Sequence, residues 1–345
     1  MTVSTLDSRR PAPNNYNAER KKIEKKVSKT LATIEGLLLA GMLAGEASNE
    51  EATASSLLLL EALRRSIKTD TEKVLTQSFI EGKSQQIIAV FDSIGTAKRA
   101  KEYAKSDATD TESTVLREVA QMKLDGEKLT RTTAKKIALK AEEADSTHFL
   151  LSDKKELVVK SLDEAITQTM KSVETLSLAV EADRLEMRNL EARPSLAEDE
   201  AKRLSDIQEK LEEKGLAKRI QKEAFVAKTD AAGRNLKLAN QTRTTLISSI
   251  HESYLNGMQE EATRLNMDLA IISSHGAKDE CSLWEGVVIS MNGETKGYPT
   301  LEDAKKSKQI FHPNCQHSVH SIRSLDMLAD DDIKKHKEKS AKLSY

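Results

Sequence analysis

The sequence predicts a mainly α-helical protein, in which long helical hairpins or a helical bundle precede a small α+β module that contains cysteine and histidine. Charged residues make up 32% of the 345 residues and aromatic residues 3%. Long helices have this composition because Ala, Leu, Glu, Lys and Arg lose little side-chain entropy in a helix. Both cysteines and the only tryptophan lie between residues 281 and 315. A large compact enzyme would contain more aromatic side chains in its core.

A helical region is predicted over residues 19–265, because apolar residues recur there at spacings of three and four, which places them on one helix face. Pro194 and Gly215 end two successive helices and so predict a helical hairpin. The last helix is expected from about Asp230, past Gly233, to about Leu265. The clearest apolar stripes are Ile23, Val27, Leu31, Ile34, Leu38 and Met42, and then Val159, Leu162, Ile166, Met170, Val173, Leu176 and Val180.

Residues 266–325 form the predicted α+β module. Leu269–Ser273, Trp284–Ser290 and Gln316–Ile322 are expected strands, and Thr300 is expected to cap a short helix over 301–307. Trp284 is expected in the module's core. A module of this size buries little apolar surface, so a covalent or metal staple is expected to support it.

Two tails complete the predicted domain organisation. Residues 1–18 are expected to be a flexible N-terminal tail. Residues 326–345, with Asp330-Asp331-Asp332 followed by Lys334-Lys335, are expected to be a charged C-terminal tail.

The predicted staple is a Zn²⁺ site, because structural zinc favours four tetrahedral sulfur and nitrogen ligands. The expected ligands are His275, Cys281, Cys315 and His317, and His312 is the substitute if one of these is replaced. The spacing differs from that of a zinc finger, which has two closely spaced cysteines. The alternative is that both cysteines are small buried apolar residues and that the imidazoles make ordinary polar contacts.

A basic segment lies near the N-terminus, although the net charge of the whole chain is −1. Its side chains predict a nucleic-acid contact, and the alternative is a solvated helix start. The apolar stretch Leu31 to Ala44 is too short to span a bilayer, so no membrane contact is expected. The absence of a signal-peptide pattern predicts synthesis in a reducing cytoplasm. The basic residues are Arg20, Lys21, Lys22, Lys25, Lys26 and Lys29.

The predicted function is not enzymatic. Cysteine and histidine together suggest a thiol nucleophile, but the sequence contains no evident pair of carboxylates and no glycine-rich loop that would bind phosphate.

The C-terminal motifs resemble those of the tailed-phage minor capsid protein 2 family. The resemblance covers about residues 254–318, and the helical region is covered by analogy only. His312-Pro313-Asn314-Cys315 is also similar to the ending of Mu-type (MuF) head-morphogenesis proteins. The motifs are Tyr254-Leu255-Asn256-Gly257, Ile272-Ser273-Ser274-His275-Gly276-Ala277, Cys281-x-x-Trp284-x-Gly286, Tyr298-Pro299-x-Leu301 and Asn314-Cys315-Gln316-His317-Ser318.

Two departures from the family pattern bear on the metal. The family usually has histidine at the position of Cys281, and arginine at the position of Lys278 or Gln316. Exchange of histidine for cysteine keeps a metal ligand, which favours zinc and disfavours a histidine base at that position.

The resemblance implies a structural virion protein present in multiple copies, located in the head interior or at the portal vertex. It implies a role in head assembly and in DNA packaging or ejection. The implied partners are the portal protein, the major capsid protein or both, with packaged DNA meeting the basic N-terminal segment. Two alternatives stay open: a metal-dependent nuclease or toxin-like effector carried in the virion, and a helical scaffold protein that leaves the particle.

Overall fold

The computed structural model describes residues 16–94, 100–101, 104, 111–144, 149–274, 276–312, 315 and 317–343. This part of the chain is mainly helical, as predicted. Its helices are α1 (Tyr16–Ala44), α2 (Glu46–Ser93), α3 (Thr111–Leu124), α4 (Arg131–Ala144), α5 (Phe149–Glu191), α6 (Glu198–Leu211), α7 (Glu213–Glu223), α8 (Leu238–Arg264), α9 (Leu301–Ser307) and α10 (Asp330–Ser340). Its strands are β1 (Val226–Thr229), β2 (Asn235–Lys237), β3 (Leu269–Ile272), β4 (Val288–Ser290) and β5 (Val319–Ile322).

The chain divides into two compact units. The helical unit comprises Ala18–Glu72 and Glu156–Leu246. The module unit contains Lys73–Lys155 and Ile247–Tyr345, and therefore includes the predicted α+β module.

The helical unit is built on the apolar stripes that the sequence predicts. The α1 residues Ile23, Val27, Ile34, Leu38 and Met42 are buried. Polar contacts between α2 and α5 accompany this core, since the Arg64 guanidinium lies 2.9 Å from the Asp163 carboxylate. The α5 residues Leu162, Ile166, Val173, Leu176 and Val180 are also buried.

The start of α8 differs from the prediction. Strands β1 and β2 form an antiparallel hairpin where the sequence predicted the beginning of a helix at about Asp230. The Asp230 carboxylate accepts hydrogen bonds from the backbone N–H groups of Ala232 (3.0 Å) and Arg234 (2.9 Å). Gly233 adopts a φ of +76°, which completes the turn. A short polar side chain that accepts from backbone N–H groups a few residues later competes with helix formation, so α8 begins only at Leu238.

One helix among the described residues, the Glu19–Ala44 part of α1, is long and apolar enough by length and composition to cross a membrane. This stretch is longer than the Leu31–Ala44 run considered from the sequence, because it also includes the charged first part of α1.

The α+β module contains a three-stranded antiparallel sheet in the order β4–β3–β5. The three predicted strands exist, but β4 and β5 both begin later than expected. Residues before it form a turn, in which the Trp284 N–H donates to the Cys281 carbonyl (3.0 Å) and Gly286 has a φ of +77°. Thr300 caps α9 as predicted, and its Oγ1 accepts from the Asp303 N–H at 3.0 Å.

Trp284 lies in the core of the module, as the sequence predicts. Its side chain is fully buried, and its Nε1–H donates to Gln309 Oε1 at 3.0 Å. Helix α8 supplies the other wall of this core through Tyr254, Leu255, Met258 and Ala262. The sheet therefore packs on α8 within the module unit.

Helices α2 and α8 cross at two glycines. A Cβ atom on Gly82 would lie 2.1 Å from the Tyr254 carbonyl oxygen, and one on Gly257 would lie 2.0 Å from the Phe79 carbonyl oxygen. Real Cβ atoms do not approach backbone this closely, so both positions require glycine. The crossing fixes α8 against α2 and thereby positions the helix that carries the sheet.

Substitution Gly257→Ala should destabilise the module unit by about 3 kcal/mol, because the new methyl group meets backbone atoms that cannot move aside. Tryptophan fluorescence during urea unfolding measures this, since Trp284 is the only tryptophan. Gly36→Ala is the matched control: its Cβ would have no atom within 4 Å, and it should leave the midpoint unchanged. Equal midpoints for Gly257→Ala and Gly36→Ala would contradict the close crossing.

Candidate metal site

Two loops of the module bring sulfur and nitrogen atoms together. The first loop leads into a short 3₁₀ turn, Glu280–Leu283, whose N-cap Asp279 accepts a hydrogen bond from the Cys281 N–H at 3.1 Å. The second loop precedes β5. In it the Cys315 N–H donates to the His312 carbonyl at 2.9 Å, and this turn places both residues near Cys281.

Cys281, His312 and Cys315 form a compact group in which the three ligand atoms lie within 4.8 Å of one another. The Cys281 Sγ is 2.9 Å from His312 Nε2 and 3.9 Å from Cys315 Sγ. Tetrahedral zinc with Zn–S bonds of about 2.3 Å holds two sulfurs about 3.8 Å apart. The sulfur separation therefore fits zinc, and this cluster could hold a metal ion.

His317 extends the cluster on its buried side. Its Nδ1 lies 3.3 Å from Cys315 Sγ, and its Nε2 lies 3.2 Å from Glu285 Oε1. The Glu285 carboxylate also accepts from the Ala277 N–H at 3.0 Å and from the Ser274 hydroxyl at 3.2 Å. One buried carboxylate thus ties His317 to the loop that leads to Cys281. Carboxylates that orient metal-binding imidazoles have this arrangement.

Burial sets the ionisation of the Cys281 thiol. Desolvation, reinforced by the neighbouring Cys315 thiol and the Asp279 carboxylate, raises the pKa of Cys281 well above its ordinary value. Without a cation, Cys281 therefore stays a neutral thiol at physiological pH. A metal ion that binds there must displace the proton, so metal binding is coupled to proton release.

The cluster contains three of the five residues that the sequence predicts for the metal. Cys281 and Cys315 face each other, and His312, the predicted substitute, completes the group. His317 contacts the same cysteine from the side of Glu285. His275 lies outside the described residues, so the predicted ligand set as a whole remains a prediction.

Sequence reasoning missed two carboxylates. Glu285 follows the tryptophan in the motif, and Asp279 precedes the first cysteine by two residues. Asp279 was detectable as an N-cap, since aspartate before a short helical turn is a common cap. Glu285 carried no signal, because its contact with His317 spans 32 positions of the chain.

The predicted basic residues lie on α1. Arg20 pairs with Glu24 at 3.3 Å, and Lys22 with Glu19 at 3.7 Å. Lys26 pairs with Asp70 of α2 at 2.5 Å. Lys21, Lys25 and Lys29 are exposed.

Residues 205–342 match the family model described as Phage minor capsid protein 2. Over these residues the chain is similar to the phage minor capsid protein 2 family. It covers about two fifths of the 345 residues and runs from α6 to the end of α10. The whole Cys/His cluster therefore lies inside the family region, and most of the helical unit precedes it.

The family match supports a structural protein of the phage head, located in the virion. It confirms the first of the two resemblances drawn from the sequence, and the matched region is longer than residues 254–318. No curated protein and no solved structure matches the chain.

Substitution Glu285→Ala should destabilise the module unit by about 3 kcal/mol, because it removes the carboxylate that accepts from the Ala277 N–H and contacts the buried His317 ring. Chemical unfolding followed by the fluorescence of Trp284 tests this. Glu280→Ala removes a carboxylate from an exposed position of the same loop and should change stability by less than about 0.5 kcal/mol. A Glu285→Ala protein as stable as Glu280→Ala would exclude the structural role of this carboxylate.

Proposed function

We propose that this minor capsid protein is a portal-associated structural component that supports head assembly and DNA packaging or ejection. The observation that carries the proposal is the family match over residues 205–342, which includes the entire α+β module. In this proposal the module contacts the portal protein, the major capsid protein or both. The protein is present in multiple copies in the head interior or at the portal vertex.

We further propose that Zn²⁺ holds the module together. Cys281, Cys315 and His312 would supply three ligands, and His317 or His275 the fourth. A zinc ion with these four ligands would link the loop after β3 to the loop before β5. The Glu285 carboxylate and two hydrogen bonds between Ser273 and Ser318 also join those loops. A module of about 60 residues gains folding free energy from such a site.

The cluster supports a structural role over a catalytic one. The series of contacts from the Cys315 thiol to the His317 imidazole and the Glu285 carboxylate is one that activates a thiol nucleophile in some enzymes. However, Cys315 is 8% exposed and His317 1%. A substrate therefore has no direct approach to the sulfur, which disfavours the nuclease or effector alternative.

The proposal includes a DNA contact through the basic segment, but with fewer residues than the sequence predicts. Three of the six predicted cations pair with carboxylates of the same protein. The exposed Lys21, Lys25 and Lys29 are the residues left to meet phosphates.

Protein purified under reducing conditions should contain about one equivalent of zinc, and a strong chelator should lower the unfolding midpoint reported by Trp284. Cys315→Ala should lose the metal. His320→Gln, which changes an imidazole of β5 outside the three-residue group, should retain it. A zinc content below about 0.2 equivalents in the unmodified protein would argue against a tight structural site.

Full-length protein should be retained by immobilised portal protein at low and moderate salt, and more weakly or not at all by an unrelated ring-shaped protein. Retention by the major capsid protein measured in parallel identifies which partner is contacted. Failure to bind portal protein at both salt concentrations would exclude the portal association.

Mature particles should contain the protein when probed with an antibody. Its presence in assembling heads and absence from mature particles would instead support the helical scaffold alternative.

A further inference from the structure

Helix α1 carries an exposed face that its packing in the helical unit leaves uncovered. The buried stripe from Ile23 to Met42 occupies one side of the helix. On the other side, Lys21, Lys25 and Lys29 follow one another at a spacing of four and are exposed. Residues at this spacing lie on one helix face. With other described residues, these three lysines form no ion pair, unlike Arg20, Lys22 and Lys26.

The same face becomes apolar toward the C-terminal end of α1. Ala32, Gly36 and Ala40 are exposed, and Leu43 is 48% exposed. Leu37 and Leu39 flank this surface and are half-buried. Only 28% of the most apolar part of α1 is buried in the protein, although the helix is apolar enough to enter a membrane. A core helix of a soluble bundle would bury most of such a segment.

We propose that α1 is a membrane-surface element, which binds an anionic lipid bilayer through this face. Lys21, Lys25 and Lys29 meet the phosphates of the lipid headgroups, and the flank with Gly36, Ala40 and Leu43 enters the boundary of the acyl chains. The buried stripe stays in place, because it lies on the opposite side. This inference goes beyond the proposed function, in which no membrane takes part, and it assigns to lipid the three lysines that the proposed function leaves for DNA.

A lipid bilayer can contact both the basic half and the apolar half of this face, whereas DNA can contact only the basic half. Phosphates of either would neutralise the three lysines. DNA offers no apolar surface to Leu43 and the exposed alanines, so their exposure to water would remain. The interfacial binding of helices depends on buried apolar area together with attraction to anionic lipid, and α1 supplies both.

Glu35 limits how deep the helix enters. It lies within the apolar half, is half-buried, and its Oε1 accepts from Gln221 Nε2 at 3.3 Å. A carboxylate near the middle of the segment opposes a full crossing of the bilayer. Binding in the plane of the membrane surface keeps this contact and is therefore the geometry that we infer.

Flotation of full-length protein with vesicles tests the inference. The protein should float with vesicles that contain phosphatidylglycerol and phosphatidylcholine, and much less with phosphatidylcholine alone. Each lysine near an anionic surface strengthens binding about fivefold. The triple variant Lys21→Gln, Lys25→Gln, Lys29→Gln should therefore bind roughly a hundredfold more weakly.

The apolar half has a matched control. Leu43→Glu should lose vesicle binding while circular dichroism and the Trp284 unfolding midpoint stay unchanged. Leu178→Glu places the same charge on a leucine of α5 that is 71% exposed and should bind vesicles like the unmodified protein. Cys315→Ala, which tests the zinc proposal, should also float, so the two proposals fail independently.

Several results would overturn the membrane inference. One is the absence of flotation with anionic vesicles. Another is binding that the lysine variant abolishes and Leu43→Glu leaves intact, because such binding is electrostatic alone. Binding of duplex DNA through the same lysines without vesicle binding would assign the face to nucleic acid. Concentration-dependent oligomers that Leu43→Glu dissociates, again without vesicle binding, would assign it to a second copy of the chain.

Discussion

The meeting of two loops at Cys281 and Cys315 is the constraint on which the module depends. Strand β3 lies between β4 and β5, and the loops that leave β3 and enter β5 converge at the two sulfurs. The Glu285 carboxylate joins the same loops on the buried side through His317 and Ala277. Closure at this corner holds the turn that carries Trp284, and that side chain fills the core against α8.

The crossing of α2 and α8 fixes the position of the helix on which the sheet of the module packs. Gly82 and Gly257 allow the backbones of α2 and α8 to touch, so the helix under the sheet has one position on its neighbour. Buried charges accompany the crossing. The Lys83 ammonium lies 2.5 Å from the Glu260 carboxylate, and Glu81 is paired with Lys135 at 2.5 Å. Desolvation raises the pKa of Glu81, but its bonds with Lys135, Arg131 and Gln85 outweigh this and lower the pKa overall. Its stabilising contribution is therefore present above the ordinary carboxyl pKa and is lost as pH falls through the lowered value.

Local patterns in the sequence predicted much of this architecture. The stripe from Ile23 to Met42, the Thr300 cap and the three strands each depend on neighbouring residues, and each was predictable for that reason. The hairpin at Asp230 was missed because the residues on both sides have high helical propensity. The Asp230 carboxylate instead accepts hydrogen bonds from backbone N–H groups a few residues later, which favours a turn. The residue types of the candidate metal site were predicted, since two cysteines and nearby imidazoles were expected to lie together. The close position of His312 and the role of Glu285 depend on loops that meet only in the folded chain, and no sequence spacing encodes them.

We propose that a zinc ion at this corner stabilises the module, so that the module can serve as a docking element in the phage head. X-ray absorption at the zinc edge on the full-length protein tests it most directly. A zinc ion held by this cluster should show two sulfur ligands at about 2.3 Å and two nitrogen ligands at about 2.0–2.1 Å, with one sulfur lost in Cys281→Ala. A shell of oxygen and nitrogen without sulfur, unchanged by Cys281→Ala, would contradict it.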